Sequence, residues 1–386
     1  MINAMKYNIA IDMRYVENKN SGLSRFSINI FQNLLNLTIN DEINYIILLP
    51  PKNIFKDSET FFNFPSSKIR KIYSKRKRGL KWKFPFFLID LSLYKKLKNA
   101  NIDFFISPYI DPPFLPGIKV ISTIHDLIFI RVKNYFNYFR FIKRILSELR
   151  ILLTILFSYN LLTVSNTSKE ILIKRYKFIP FFNQKLKNIT VIYNGVTKFE
   201  SKNKNYDYKS IISKKDYFLY VGDRRNHKNL FYTIELIKKY NEFYNNDYEL
   251  IIAGSNNYKN KKLTNYIFSH PFVKEIINPN DELLDYLYRG CKSLILLSFD
   301  EGFGIPVIEA ASRSKKIILS NISVFREIAP PNTLMLDLKR NNDHLELVHE
   351  YLNKKLKFDS QTILKKWTWR KSALKLKKLL LNQLVK

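Results

Sequence analysis

Ser298-Phe299-Asp300-Glu301-Gly302-Phe303-Gly304-Ile305-Pro306-Val307-Ile308-Glu309-Ala310 is the stretch that decides how this chain folds. The run before it, ending at Leu297, is apolar and reads as a buried strand. Two glycines bracket Phe303 and mark a turn. Pro306 is placed to start a helix, because its fixed φ suits the first helical turn and its missing N–H costs nothing there. Strand, glycine turn and helix in this order point to a parallel α/β sheet. Such a turn presents backbone N–H groups at a helix N-terminus, which suits a phosphate or a sugar oxygen. Glu301, Gly302, Phe303, Gly304 and Ile305 are the candidate binding positions on the turn. Glu309 lies one turn into the helix, where a carboxylate can accept two hydrogen bonds from a vicinal diol such as ribose.

Upstream, Val221-Gly222-Asp223-Arg224-Arg225-Asn226-His227-Lys228-Asn229-Leu230 repeats the pattern of strand, turn and helix. Gly222 follows the strand directly. Arg224 and Lys228 project near the carboxyl end of the sheet, where two cations can neutralise a diphosphate leaving group without a metal ion. Taken alone, the same residues also read as a solvated basic loop.

Around these two stretches, short β-rich runs alternate with helical patterns. In the first half the strands fall near Tyr7–Ile11, Tyr45–Leu49, Phe104–Ser107, Val120–Ile124, Leu161–Val164 and Thr190–Tyr193. In the second half they fall near Tyr217–Val221, Leu250–Ala253, Ser293–Leu297, Ile317–Leu319 and Leu334–Leu336. Helical spacing covers Leu23–Leu37, Ser168–Tyr176, Leu230–Tyr240 and Leu283–Arg289, and Thr167 to Glu170 has capping-box spacing. Strands alternating with helices imply parallel sheets with helices on both faces. The pattern occurs twice, separated by a Lys/Asn-rich break from Lys198 to Lys215. Two doubly wound domains facing each other place ligands in the cleft between them, at the strand carboxyl ends. Six of the nine glycines, at 22, 195, 222, 254, 302 and 304, lie on strand-to-helix turns, where phosphates bind. Singly each reads as an ordinary tight turn; as a set they do not.

Both stretches resemble the retaining glycosyltransferases of the large GT-B family four, the glycosyl transferases group 1, and in particular its bacterial mannosyltransferase-like members. The family's E-G-F-G-L/I-P-x-x-E element reads here from Glu301 to Glu309, and its V-G-x-R…K-N element from Val221 to Asn229. Ile11-Asp12 with Ser21-Gly22-Leu23-Ser24-Arg25, Ile124-His125-Asp126-Leu127, Val164-Ser165-Asn166 and Ile192-Tyr193-Asn194-Gly195-Val196 are similar too. Trp367-Thr368-Trp369-Arg370-Lys371-Ser372-Ala373 resembles the family's C-terminal helix, so the likeness covers essentially the whole chain. It implies an acceptor-side Rossmann-like domain over 1–198, a linker over 199–215, a nucleotide-sugar domain over 216–365 and a helix over 366–386 crossing back to the first domain. It also implies that Arg224 and Lys228 hold the donor diphosphate, Glu309 the ribose, and Glu301 the transferred sugar near the reacting centre. His125 would face that sugar from the first domain; a histidine at a strand end reads equally as a structural residue. Gly22 would let the first loop close on the phosphates, with Gly222 and the 302–305 turn completing the donor site. The family retains anomeric configuration and needs no metal or other cofactor. The resemblance favours GDP-mannose as donor and a glycan or glycolipid as acceptor. Three departures concern loop geometry: Ser24 replaces a second glycine, Arg313-Ser314-Lys315-Lys316 replaces a Gly-x-Pro, and Glu327-Ile328-Ala329-Pro330 replaces a Glu-x-x-Gly.

Composition sets the remaining bounds. The 386 residues allow two domains, and 46% hydrophobic content excludes wholesale disorder. The single cysteine, Cys291, permits no internal disulfide, which fits a cytoplasmic setting. The first residues show no secretory signal pattern, and no run approaches the ~18 apolar residues of a membrane span. The net charge of +32 reads either as a Lys/Asn-rich coding bias or as attraction to polyanions or anionic lipid. From Lys68 to Lys98 there are twelve basic residues against Asp90, with Lys75-Arg76-Lys77-Arg78 preceding Trp82, Phe84, Phe86 and Phe87. Tyr135 to Phe157 adds Arg140, Lys143, Arg144 and Arg150 among apolar residues. Basic residues mixed with aromatics suit an anionic membrane interface, so a peripheral enzyme on the inner face of the plasma membrane is expected. No nucleic-acid motif is present, and no nucleic-acid partner is expected. A glycoside hydrolase using Glu301 and Glu309 as paired carboxylates, and an inactive GT-B membrane binder, remain the rival readings.

Overall fold

The computed structural model describes residues 7–16, 21–38, 41–51, 68–73, 91–110, 112–132, 135, 140–197, 215–256, 260–340 and 343–384. The basic-aromatic segment from Lys75 to Phe87 lies outside the described residues. The chain divides into two compact units. The first comprises 1–130, 136–194 and 369–386, and the second comprises 131–135 and 195–368.

The first unit is built on a seven-stranded, wholly parallel sheet. Its strands are β1 (Tyr7–Asp12), β2 (Ile43–Leu49), β3 (Ile69–Tyr73), β4 (Phe104–Ser107), β5 (Lys119–Ile124), β6 (Asn160–Thr163) and β7 (Thr190–Val191). The order β3-β2-β1-β4-β5-β6-β7 reverses direction between β1 and β4. The helices of the first half are α1 (Gly22–Leu37), α2 (Leu91–Asn99), α3 (Ile128–Arg131), α4 (Arg140–Phe157), α5 (Asn166–Tyr176) and α6 (Asn183–Lys187). The second unit has a six-stranded parallel sheet in the order β10-β9-β8-β11-β12-β13. These strands are β8 (Tyr217–Val221), β9 (Glu249–Gly254), β10 (Val273–Ile277), β11 (Ser293–Leu296), β12 (Lys316–Ser320) and β13 (Leu334–Leu336). Its helices are α7 (Leu230–Tyr244), α8 (Lys261–Phe268), α9 (Asp281–Gly290), α10 (Ile305–Ala311), α11 (Ser323–Ile328), α12 (His344–Asn353) and α13 (Ser360–Lys366). The last helix, α14 (Trp369–Leu384), belongs to the first unit. Both units are therefore Rossmann-like, the pair of doubly wound domains expected of a GT-B chain.

Central strands are buried on both faces, so they read as unbroken apolar runs such as Phe104-Phe105-Ile106 and Leu294-Ile295-Leu296. The two strands without a sequence signal are edges. β3, Ile-Arg-Lys-Ile-Tyr, and β10, Val-Lys-Glu-Ile-Ile, each pair with one neighbour only and carry charges that blunt a free edge. The capping-box spacing at Thr167–Glu170 is not used. Ser165 caps α5 instead, its side chain accepting the Ser168 N–H, and Thr167 already lies inside the helix. The same device starts α1, where Ser21 accepts the Ser24 N–H and the two hydroxyls pair at 2.8 Å. The cap itself needs only the backbone N–H at 24; the Ser24 hydroxyl adds a bond to Ser21 that glycine could not supply.

The unit boundaries differ slightly from the sequence reading. The first boundary falls after Asn194 rather than 198, because the Val196 N–H donates to the Trp367 carbonyl at 2.9 Å and ties this stretch to the end of the second unit. Within the first unit, α14 packs along α1. Trp369 meets Phe26 with ring centroids 6.3 Å apart, the Ser372 hydroxyl donates to the Tyr193 carbonyl at 2.6 Å, and Lys377 pairs with Asp41 at 2.7 Å.

Candidate active site

In the second unit the strand order reverses between β8 and β11, and both stretches singled out in the sequence leave the sheet there. The loop after β8 runs from Gly222 to Asn229, and the loop after β11 runs from Leu297 to Gly304. A doubly wound sheet opens a crevice at such a point, at the carboxyl ends of its strands. Two glycines shape it. Gly254, at φ +142° on the end of β9, lies so close to the first loop that an added Cβ would sit 2.3 Å from the Gly222 carbonyl oxygen. Gly304, at φ +98°, caps α10, a left-handed position that a side chain would strain.

Across this crevice Lys228 reaches Glu301. Lys228 Nζ donates to Glu301 Oε1 at 2.6 Å, and the Ser298 hydroxyl donates to the same oxygen at 2.8 Å. Both members of the pair are largely buried. Burial pulls the Lys228 pKa down, but the Glu301 and Asp223 carboxylates outweigh it and leave the amine raised and firmly charged. The two loops are also joined through backbone, the Phe299 N–H donating to the His227 carbonyl at 2.8 Å. Burial holds the His227 imidazole neutral, its pKa lowered to about 3. The result is a charged amine and a carboxylate, fixed side by side at a strand switch point beside two loop-to-helix turns. This arrangement can balance an anionic group and hold the hydroxyls of a polar ligand.

Three expected residues also have partners within the protein. The Arg224 guanidinium is buried against β10 and β9, with Nε donating to Glu275 at 2.6 Å and Nη1 donating to the Ser255 carbonyl at 2.7 Å. Its charge is balanced by Glu275, a residue without a sequence signal because it lies on the unrecognised edge strand. Glu309 is only 1% exposed and accepts the Tyr288 hydroxyl at 2.8 Å, so its carboxylate is also a packing element of the helix layer. Phe303 is buried edge-on to Trp367, centroids 5.6 Å apart, and anchors the turn. Gly302 and Ile305 are half-buried on the turn, either side of Phe303 and Gly304.

His125 and Gly22 belong to the first unit. His125 follows β5, and its Nε2 donates to the Pro108 carbonyl at 2.7 Å, just beyond β4. The bond places the ring proton on Nε2 and leaves Nδ1 with its lone pair. Enclosure, opposed only by the Pro108 bond, lowers the pKa to about 4, so the ring is neutral at pH 7. Phe26 packs edge-on to it at 4.8 Å. An added Cβ at Gly22 meets nothing within 4 Å, so packing does not demand glycine there.

Residues 202–361 match the family described as Glycosyl transferases group 1. The match covers less than half of the chain, but it takes in the whole of the second sheet and so both loops at its switch point. Among curated proteins, the O-antigen chain mannosyltransferase RfbU of Salmonella typhimurium is 28% identical over 220 residues, 56% of each chain. The serotype-specific mannosyltransferase WbdA of Escherichia coli is 34% identical over 110 residues, 28% of this chain and 14% of that one. The chain thus spans about half the length of RfbU and far less of WbdA. Among solved structures, Anabaena Alr3699/HepE in complex with UDP and glucose matches 97% of this chain and 100% of its own, with a TM-score of 0.70 at 12% identity. WaaG, a glycosyltransferase involved in lipopolysaccharide biosynthesis, matches 95% and 94%, with a TM-score of 0.62 at 14% identity. At these identities the structures establish the two-domain fold alone.

Proposed function

We propose that this chain is a retaining hexosyltransferase that moves mannose from GDP-mannose to a lipid-linked or polysaccharide acceptor in cell-surface glycan synthesis, without a metal ion. The observation that carries the reading is the buried Lys228–Glu301 pair at the switch point of the second sheet, within the group 1 match. An O-antigen chain mannosyltransferase and a serotype-specific mannosyltransferase among the relatives favour the sugar and the acceptor class. In the proposed reaction the bond from the anomeric carbon to the diphosphate oxygen breaks, and the diphosphate keeps the electron pair. Lys228 and the N–H groups of the 302–305 turn stabilise the charge that develops there. The acceptor hydroxyl oxygen then bonds the anomeric carbon on the same face, and its proton passes to the leaving phosphate oxygen. Glu301 holds the sugar hydroxyls. The ribose contact assigned to Glu309 requires the helix layer to give it access. The glycoside hydrolase reading needs two carboxylates facing water; Glu309 is buried on Tyr288 and Glu301 is held by Lys228, which disfavours it.

A peripheral position on the cytoplasmic side of a membrane is part of this proposal. Among the described residues no helix is long and apolar enough to cross a membrane. Two neighbouring surfaces of the first unit instead expose large apolar groups: Phe141 (76%), Ile142 and Ile145 on α4, and Phe178 (78%) and Phe181 beyond α5. Arg144 and Lys177 lie among them in sequence. The test of the chemistry is transfer of mannose from GDP-mannose to membrane vesicles carrying lipid-linked glycan, in EDTA. Proton NMR of the product is expected to show the anomeric configuration of the donor. Transfer abolished by EDTA and restored by a divalent ion, or an inverted product, would overturn the metal-free retaining mechanism.

A further inference from the structure

Arg131, the last residue of α3, and Tyr135, which follows it, belong to the second unit and touch both loops of the candidate site. Arg131 Nη1 donates to Asp300 Oδ1 at 2.9 Å. The same oxygen accepts the backbone N–H of Glu301 at 3.0 Å. Asp300 is buried, so its charge needs a partner, and Arg131 is one. Four residues on, the Tyr135 hydroxyl accepts from Arg225 Nη1 at 2.9 Å, and the Tyr135 ring lies 5.5 Å from that of His227. Arg131 therefore meets the loop of Glu301, and Tyr135 meets the loop of Lys228.

We infer that Arg131, acting through Asp300, is a positioning residue for Glu301, and that Arg131 and Tyr135 together strap the two loops in place. The inference rests on the reading of Glu301 as a contact of the donor sugar. Lys228 and Ser298 fix one oxygen of the Glu301 side chain, but neither fixes the peptide from which the side chain hangs. Asp300 does, and a charge-assisted bond to Arg131 is short and directional enough to hold it. A displacement of 1 Å at a reacting centre lowers turnover on the order of 10²-fold, so a partial loosening is expected to be felt in kcat before it is felt in folding.

The test uses the full chain in three forms: wild type, Arg131→Gln and Arg131→Lys. Hydrogen exchange of peptides covering 297–304 reads the strap without any ligand. Cleavage of GDP-mannose reads its consequence. Arg131→Gln is expected to speed exchange in that peptide alone and to lower kcat about tenfold, with KM for GDP-mannose within about twofold of wild type and Tm unchanged. Arg131→Lys, which keeps the charge, is expected to recover most of both. Unchanged exchange and unchanged kcat would overturn the inference and leave the proposed activity standing. A loss of kcat that tracks a fall in Tm or a global rise in exchange would overturn it in favour of a merely structural contact. If wild type cleaves no nucleotide sugar while the exchange contrast persists, the reading of the site fails, and the positioning role fails with it.

Discussion

Arg224 and Lys228 are four residues apart on one loop and equally basic, yet the fold gives them opposite surroundings. Arg224 turns into the sheet edge and pairs with Glu275, while Lys228 turns across the switch point to Glu301. Neutralising them is therefore expected to have different effects. Arg224→Ala leaves Glu275 and the Ser255 carbonyl without their partner, and breaking a largely buried pair costs on the order of 3 kcal/mol. Its signature is a lowered urea midpoint. Lys228→Ala is expected to lower turnover with a much smaller change in midpoint. Urea titration of both variants checks this; equal midpoints for Arg224→Ala and wild type would return Arg224 to the ligand. The sequence showed both charges and their spacing. It could not show which was bound, because Glu275 sits on a strand whose own charges hide it.

The elements that position the site were legible wherever burial is two-sided. Central strands announce themselves as apolar runs, and the glycine turns after β8 and β11 were read from sequence because only glycine tolerates their backbone or their closeness. The edges β3 and β10 were not read, since a one-sided, charge-bearing strand loses the signal. The Arg131–Asp300 contact left no trace either, as the partners lie 169 residues apart. The strand ends also carry a pH dependence. His125, beyond β5, and His227, beyond β8, are held neutral by burial, with pKa values near 4 and 3 against an ordinary 6.5. The unfolded chain binds these protons more readily, so their contribution to stability is complete above about pH 6.5 and is lost as pH falls toward 4. Urea midpoints at pH 7, 5.5 and 4.5 are expected to fall in that order, and less steeply in His227→Asn. A midpoint that rises on acidification would contradict the burial of both rings.

At the scale of the whole molecule, the two Rossmann-like units were legible from the twofold alternation of strands and helices. So was the return of the C-terminal helix, read by resemblance from its Trp367–Ala373 motif. The charge of +32 could not be read from sequence alone, because a compositional bias and a lipid-binding surface give the same count. The structure adds exposed Phe141, Ile142, Ile145, Phe178 and Phe181 on the first unit. Apolar side chains open to solvent beside basic ones are what an interfacial surface requires. The full chain is expected to sediment with vesicles of anionic lipid at low salt and to be released in part at high salt. Replacing Phe141, Phe178 and Phe181 by Ser is expected to reduce binding at both salt concentrations, whereas Lys75, Arg76, Lys77 and Arg78 to Ser is expected to act mainly at low salt. Equal sedimentation of all three proteins would remove the membrane from the account.

The central claim is that the Lys228–Glu301 pair of the second unit handles a nucleotide sugar. It is tested most directly by release of nucleoside diphosphate from a panel of nucleotide sugars, in EDTA, by wild type and Lys228→Ala. The account predicts that GDP-mannose is cleaved fastest by wild type, and that Lys228→Ala slows this about 10²-fold or more, as loss of a charge-stabilising donor does elsewhere. Release from none of the nucleotide sugars, or release at the same rate by both proteins, would contradict it.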